Sequence, residues 1–298
     1  MSWVQAIVLA VIQGLTEFIP VSSTAHLRII PALLGWSDPG AAFTAVIQFG
    51  TLVAVLAYFW RDIVRIITAM LMDLRGGKLA TTHDAWMGWM IAAGTMPIVV
   101  LGLLFKHHIE TTLRSLYVIA AAMAGVAILL AIAELYIARR RSAGRDIESV
   151  NWRDAMVVGF AQACALVPGT SRSGATILGG LCSGLSRETA ARFSFLLSIP
   201  AVFAAGVLEL VKNRHELMAS GDQATKLIVA IVVAGIVGYA TIPWLLGYLR
   251  TRTMWLFIVY RLLLAAVLVG LIQSGHLTAD AGAEASVRSA SSTALVQN

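Results

Sequence analysis

Residues 13–26, Gln-Gly-Leu-Thr-Glu-Phe-Ile-Pro-Val-Ser-Ser-Thr-Ala-His, place a carboxylate, several hydroxyls and an imidazole inside a segment otherwise apolar enough to lie in a bilayer. A charged side chain near the middle of a membrane costs about 2.5–3.5 kcal/mol on insertion scales, so Glu17 points to a function by default. If residues 10–19 are helical, Gln13 and Glu17 share a face one turn apart. Pro20 then ends that helix and forces a turn through Val21, Ser22, Ser23 and Thr24, whose hydroxyls can face a polar cavity. His26 follows the turn; a lone histidine is more often structural, but its nearness to Ser22 and Ser23 makes a functional role equally tenable.

A second polar cluster lies at residues 168–176, Pro-Gly-Thr-Ser-Arg-Ser-Gly-Ala-Thr, again between apolar half-helices. Small residues let backbone N–H groups turn towards one point, and hydroxyls beside a helix N-terminus add donors, an arrangement suited to phosphate. Arg172 supplies the charge, and a guanidinium can grip phosphate oxygens in a fork. The plain alternative is a buried Arg172–Glu17 ion pair that ties the two clusters together. Such a pair has no need of the neighbouring hydroxyls.

The elements that hold these clusters must be membrane helices. The chain has 298 residues, 58% hydrophobic and 13% charged, with a mean hydropathy of +0.81. That is too little charge to cover a soluble globule of this size, so the fold class expected is an all-α polytopic membrane protein. The net charge of +6 lies in short loops rather than on a basic face with interleaved aromatics, which argues against a nucleic-acid partner. Cys164 and Cys182 imply no disulfide framework and read as reduced packing residues. The N-terminus has no Lys or Arg before Arg28, and Gln13 and Glu17 interrupt the apolar run, so a cleaved signal peptide is not expected.

Apolar runs of about 20 residues, enough for roughly 30 Å of hydrocarbon, occur at 42–60, 86–105, 116–138, 192–210, 227–249 and 254–273. Two further segments, 3–34 and 154–184, are broken by prolines or by Gly, Ser and Thr, and each reads as a re-entrant pair of short helices. The halves resemble each other: 20–24 corresponds to 168–172, Phe43 to Phe193, Ile47 to Leu197 and Ala54 to Ala204. Three spans separate the broken segments, so the second copy enters from the opposite face, an inverted repeat. A single membrane domain over 1–275 is expected, with repeats at about 1–138 and 154–275 and a disordered tail at 276–298.

Basic residues concentrate on one side, at 61–78, 139–153, Arg187, Arg250 and Arg252, against mainly Lys106, Arg114, Lys212, Arg214 and Lys226 on the other. The first side is therefore cytoplasmic, and both termini and the mouth of the first broken segment lie outside. Among the remaining polar residues, Arg261 is expected to satisfy backbone carbonyls of a broken helix rather than serve the site. Glu134 and Glu209 are expected to reach the interface, His107 and His108 to be solvated, and Gln48 to pack or to face the cavity.

The two clusters closely resemble the hallmark motifs of undecaprenyl-diphosphate phosphatase, the bacitracin-resistance family of bacterial inner membranes. The resemblance extends over nearly the whole chain, including Ile-Gln-Phe-Gly at 47–50, Phe-Trp-Arg at 59–61 and the Tyr-Arg of the last span. The family pattern of an acid or amide, three residues, then Glu falls on Gln13 and Glu17; the amide leaves one carboxylate fewer for metal. Its functional serine and histidine fall on Ser23 and His26, and its phosphate-binding residues on Ser171, Arg172, Ser173 and Thr176, beside which Ser22 and Thr24 are further candidates. The resemblance implies divalent-cation-dependent hydrolysis of undecaprenyl diphosphate to the monophosphate on the periplasmic side of the inner membrane. It also implies a polyprenyl diphosphate substrate among membrane lipids, and a homodimer is a further expectation.

The residues suit that chemistry. Phosphoryl transfer needs positive charge on the phosphate oxygens, a placed nucleophile and a proton acceptor. Arg172 and the hydroxyls supply the first. Ser23 can attack with Glu17 or His26 as base, or water can attack with the same base. Mg²⁺ or Ca²⁺ held by Glu17 with Gln13 would neutralise charge. A transporter for a phosphorylated lipid or small anion is the rival, since inverted repeats suit it; a base and nucleophile would then be superfluous. A channel is disfavoured, because no charged ring or continuous polar face is visible.

Overall fold

A computed structural model describes residues 1–105, 113, 115–140 and 144–279. His107, His108, Lys106, Arg114, Arg141 and the tail beyond residue 279 lie outside the described residues. Among the described residues the fold is all-helical, in chain order α1 Trp3–Thr16, α2 Ser23–Leu33, α3 Gly40–Tyr58, α4 Trp60–Arg75, α5 His83–Leu104 and α6 Leu116–Arg140. After a short 3₁₀ turn at Ile147–Ser149 follow α7 Trp152–Cys164, α8 Arg172–Cys182, α9 Arg187–Leu217, α10 Gly221–Thr251 and α11 Trp255–Gln273. The six apolar runs of the sequence become α3, α5, α6, α9, α10 and α11, the six helices long and apolar enough to cross a membrane. Their outer faces carry Val53, Leu103, Leu129, Phe203, Ile236 and Leu263, all more than half exposed. An apolar belt of this extent is what lipid, rather than water, would cover.

Between the spans stand the two broken segments. At about 1.5 Å per residue, the 14 residues of α1 and 11 of α2 extend roughly 21 and 16 Å, short of a hydrocarbon layer of roughly 30 Å. α7 and α8, with 13 and 11 residues, are equally short. The first helix ends earlier than Pro20, at Thr16; Glu17 is its C-cap, its N–H bonded to the Gln13 carbonyl. Residues 17–22 form the turn.

The packing repeats. α1 lies against α10 and α2, as α7 lies against α5 and α8; α10 and α5 in turn pack on α3 and α9 respectively. Glycine permits the two close approaches. A Cβ on Gly14 would sit 2.8 Å from the Ala234 carbonyl oxygen of α10, and one on Gly159 only 2.4 Å from that of Gly94 on α5. α2 is seated by Ala25 and Ile29 on Ile119 and Met123 of α6 and Leu268 of α11. α8 is seated by Ile177 and Leu181 in the main core with Phe193 and Leu197 of α9.

One helix was not legible. α4, which falls among the short basic loops expected between the apolar runs, is amphipathic, burying Ile66 while Arg61 and Arg65 are exposed. Two other expectations are corrected. Cys164 and Cys182 are free and exposed rather than packed inside. Glu134 does not reach the interface: it is 2% exposed, accepts from Nε of Arg187 at 2.7 Å and from the Met254 backbone at 3.0 Å, and so joins α6, α9 and the start of α11.

Candidate active site

The two turns are built alike. Each ends in a serine with positive φ, Ser22 at 75° and Ser171 at 70°, a conformation that L side chains rarely adopt. Each serine then caps the helix it starts: Ser22 Oγ accepts from the Ala25 N–H, and Ser171 Oγ from the Gly174 N–H at 3.1 Å. The neighbouring hydroxyls pair in the same way, Ser22 with Thr24 and Ser171 with Ser173, both at 3.2 Å. The equivalent residues are therefore Ser22 and Ser171, one position away from the register obtained by aligning Pro20 with Pro168. Strained backbone of this kind persists only where its surroundings hold it.

What holds both turns is Arg261. Fully buried on α11, its guanidinium donates to the carbonyls of Pro20 at 3.2 Å in the first turn and of Gly169 and Thr170 at 3.1 and 3.0 Å in the second. It also donates to Met123 on α6 at 3.1 Å. The expectation that Arg261 satisfies backbone carbonyls thus holds, but those carbonyls belong to the two polar turns. A peptide whose C=O is drawn one way directs its N–H the other.

In front of Arg261 the two clusters meet on Glu17. Oε2 accepts from the Gln13 amide at 2.8 Å and from the Ser23 hydroxyl at 2.8 Å, while Oε1 pairs with Arg172. Ser173 Oγ donates to the Ile19 carbonyl at 3.2 Å, a second link between the turns. The carboxylate is nearly buried at 6%, whereas Arg172 is 19% exposed and Ser23 and Thr24 are half-buried. A ligand can therefore reach Arg172 and the hydroxyls while Glu17 stays behind them. The ion pair foreseen as the plain alternative is present, and the hydroxyls lie beside it.

His26 is placed differently from a free base. With the Ser22 carbonyl 2.7 Å from Nδ1, that nitrogen donates to it, and Nε2 shares a hydrogen bond with the Tyr260 hydroxyl at 2.6 Å. The two rings stack at 5.6 Å. Thr176 is also turned aside: fully buried, it bonds the Arg172 carbonyl at 2.7 Å and the Ser194 hydroxyl of α9 at 2.5 Å.

Gln162 carries no signal in the sequence alone, and Tyr260 is marked there only as half of the Tyr-Arg pair of the last span. Its contact with His26 is set by the packing of α11 on α2 and has no trace in that pairing. Gln162 lies nine residues before Ser171, as Gln13 lies nine before Ser22, and both are 0% exposed. Leu166 stands where the second half would need a counterpart to Glu17, and neither amide atom of Gln162 has a hydrogen-bond partner among the described residues.

The donors present suit a hard cation in part. Gln13 gives its N–H to Glu17 and leaves its own Oε1 buried without a partner among the described residues, beside a carboxylate and a hydroxyl oxygen. No group of three or more His, Cys, Asp or Glu able to hold a metal occurs among the described residues. A cation here would need oxygens from its ligand.

Residues 6–267 match the family model described as "Bacitracin resistance protein BacA". The chain is 56% identical over 282 residues to an undecaprenyl-diphosphatase of Chloroherpeton thalassium, covering 94% of this chain and 100% of that one. It is 57% identical over 280 residues to the undecaprenyl-diphosphatase of Chlorobaculum tepidum, covering 93% and 99%. A third, from Chlorobium phaeovibrioides, is 56% identical with the same coverage.

Proposed function

Since the chain belongs to the BacA family of bacitracin resistance proteins, we propose that it is an integral-membrane phosphatase. It hydrolyses undecaprenyl diphosphate to the monophosphate and inorganic phosphate, recycling a carrier lipid and conferring bacitracin resistance. The observation that carries this reading is the single carboxylate of Glu17 in contact with both the Ser23 hydroxyl and Arg172. A binding protein for a phosphorylated lipid would need the arginine but not a serine aimed at a buried base.

Arg172 and the hydroxyls of Ser22, Thr24, Ser171 and Ser173 hold the diphosphate, the guanidinium exchanging its carboxylate partner for phosphoryl oxygens. Glu17 takes the Ser23 proton as Oγ bonds to the terminal phosphorus, and the bond from that phosphorus to the bridging oxygen breaks, releasing the lipid monophosphate. Water then attacks the phosphoserine as Glu17 returns the proton it took to the departing Ser23 Oγ, and both protons of the water leave with the inorganic phosphate, restoring Ser23 and the Glu17 carboxylate. His26, held between Ser22 and Tyr260, orients the turn from which Ser23 projects. Glu17 and the unpartnered Oε1 of Gln13 would hold a Mg²⁺ or Ca²⁺ ion, which when bound neutralises phosphate charge. Thr176 supports Arg172 from behind through its backbone carbonyl.

The repeated packing of α1 on α10 and of α7 on α5 supports reading residues 1–138 and 154–275 as inverted halves of one membrane domain. The excess of Arg and Lys on one side supports a site open to the periplasm of the inner membrane, with both termini there. All the site residues come from one chain, so a homodimer is not needed to complete it. The deciding experiment is phosphate release from a C15 or C55 prenyl diphosphate by the purified protein, with and without chelator. Binding without release would transfer the assignment to the transporter reading.

A further inference from the structure

A second polar cleft, separate from Glu17, Ser23 and Arg172, opens where α3 ends, α9 begins and α10 ends. Its volume is about 590 Å³. α3 breaks at Phe59, and α4 leaves at once, so that Arg61 stands at the rim opposite Arg192 of α9 and Arg250 of α10. Arg192 is 3.3 Å from Asp62 and lies over the Phe59 ring at 5.9 Å. Arg250 holds Glu188 through two bonds, at 2.7 and 3.1 Å. Asp62 is shared with Arg65, at 2.9 Å, and Arg61 has no carboxylate partner among the described residues, so the guanidiniums here outnumber the carboxylates and the cleft is left with positive charge in excess.

Its surroundings are those of a bilayer interface. Tyr58 and Trp60 line the cleft and are exposed, amphipathic rings of the kind that settle at headgroup level. From there α4 continues with Ile67, Leu71 and Met72 exposed, apolar residues on a helix that also presents Arg61 and Arg65 to the outside. A helix of that make-up lies in the plane of the interface, its apolar residues among acyl chains and its arginines among phosphates. Soluble phosphate would have no use for the apolar half of this surface.

We propose that this cleft binds the phosphate headgroup of an anionic membrane lipid, with Arg61 supplying the uncompensated charge and the lipid's chains lying along Trp60 and α4. The planar fork of Arg61 suits a phosphodiester, and Arg192 and Arg250, each held beside a carboxylate, shape the pocket.

The test is native mass spectrometry of the full chain in detergent, titrated with phosphatidylglycerol, with phosphatidylcholine and with inorganic phosphate. One phosphatidylglycerol should bind at least tenfold more tightly than phosphatidylcholine, and inorganic phosphate at the same concentration should not displace it. Arg61→Glu should weaken phosphatidylglycerol at least tenfold, Arg61→Gln less, and Arg153→Glu, an exposed arginine on α7 outside the cleft, not at all. Prenyl diphosphate hydrolysis should be unchanged in all three, which also reports that they fold. Equal binding of the two lipids, wild-type binding by Arg61→Glu, or equal loss in Arg153→Glu would overturn the proposal. Displacement by inorganic phosphate would overturn the lipid as occupant.

Discussion

The Ser23 hydroxyl donates to Oε2 of Glu17 across 2.8 Å, the same oxygen that accepts the Gln13 amide, while Arg172 takes Oε1. A base at Glu17 would therefore already hold its proton donor. Glu17→Gln keeps the shape and removes the base, and kcat should fall on the order of 10²–10⁴-fold, the usual worth of a positioned general base. The same change removes the carboxylate that competes for Arg172, so in the presence of chelator substrate should bind at least as well. A variant with near-normal turnover would assign the base elsewhere.

Ser23→Ala separates serine attack from direct attack by water. A nucleophilic serine predicts loss of the chemical step with KM little changed, and a phosphoserine trapped when the wild-type reaction with terminally labelled prenyl diphosphate is quenched within one turnover. If Ser23 only holds phosphate, the variant loses a bond worth about 1.5–3 kcal/mol and retains measurable activity. No labelled Ser23 together with a turning-over alanine variant would leave water as the nucleophile.

Arg172→Lys tests the fork. A point-charge ammonium can still neutralise Glu17 but cannot span two phosphoryl oxygens, so most activity should disappear while thermal stability changes little. Activity retained in the lysine variant would reduce Arg172 to an ion-pair role.

Arg261 should behave as a positioning residue. Arg261→Met leaves the carbonyls of Pro20, Gly169 and Thr170 buried and unpaired, each at about 1–3 kcal/mol, and should sharply lower the melting temperature. Arg261→Lys keeps the charge but not the planar reach to both turns. It should fold, and lose kcat by a larger factor than it raises KM. A lysine variant with wild-type kcat would show that the two turns hold their shape without the guanidinium.

Much of this site was legible because polar groups inside apolar runs carry a large penalty and so announce themselves. Glu17, Arg172 and the hydroxyl turns stood out for that reason, and the six spans for their length. What escaped was set by tertiary contact. The roles of Thr176 and His26 depend on Ser194 and Tyr260, side chains far along the chain. Glu134 looked like an interfacial residue because Arg187 and the Met254 N–H, which bury it, are remote in sequence. α4 was missed because its arginines and apolar residues average to low hydropathy although its face is clear once helical.

Away from the membrane spans, Asp73 accepts from the Thr81 backbone N–H at 2.6 Å and from the Thr81 hydroxyl, and these bonds hold its carboxyl below its usual value of 3.8. A depressed carboxyl stabilises the fold above the unfolded value and loses that contribution as pH falls through the folded one. Hydrogen exchange in the loop from Gly76 to Thr81 should therefore quicken below about pH 4, and Asp73→Asn should make it fast at neutral pH. Acid-independent protection would remove Asp73 as the loop's anchor.

The crossed packing of the broken segments also fixes the order of assembly. α1, among the first residues made, has its main partner in α10, and α7 has its partner in the earlier α5. During synthesis α7 can thus meet its partner soon after it emerges, whereas α1 must wait until residues 221–251 have left the ribosome, and both turns wait longer still for Arg261. Contacts so distant along the chain are slow to form. The nascent protein is accordingly most vulnerable to degradation in that interval, and a chain truncated before α10 would carry Glu17 and Ser23 without a scaffold to hold them.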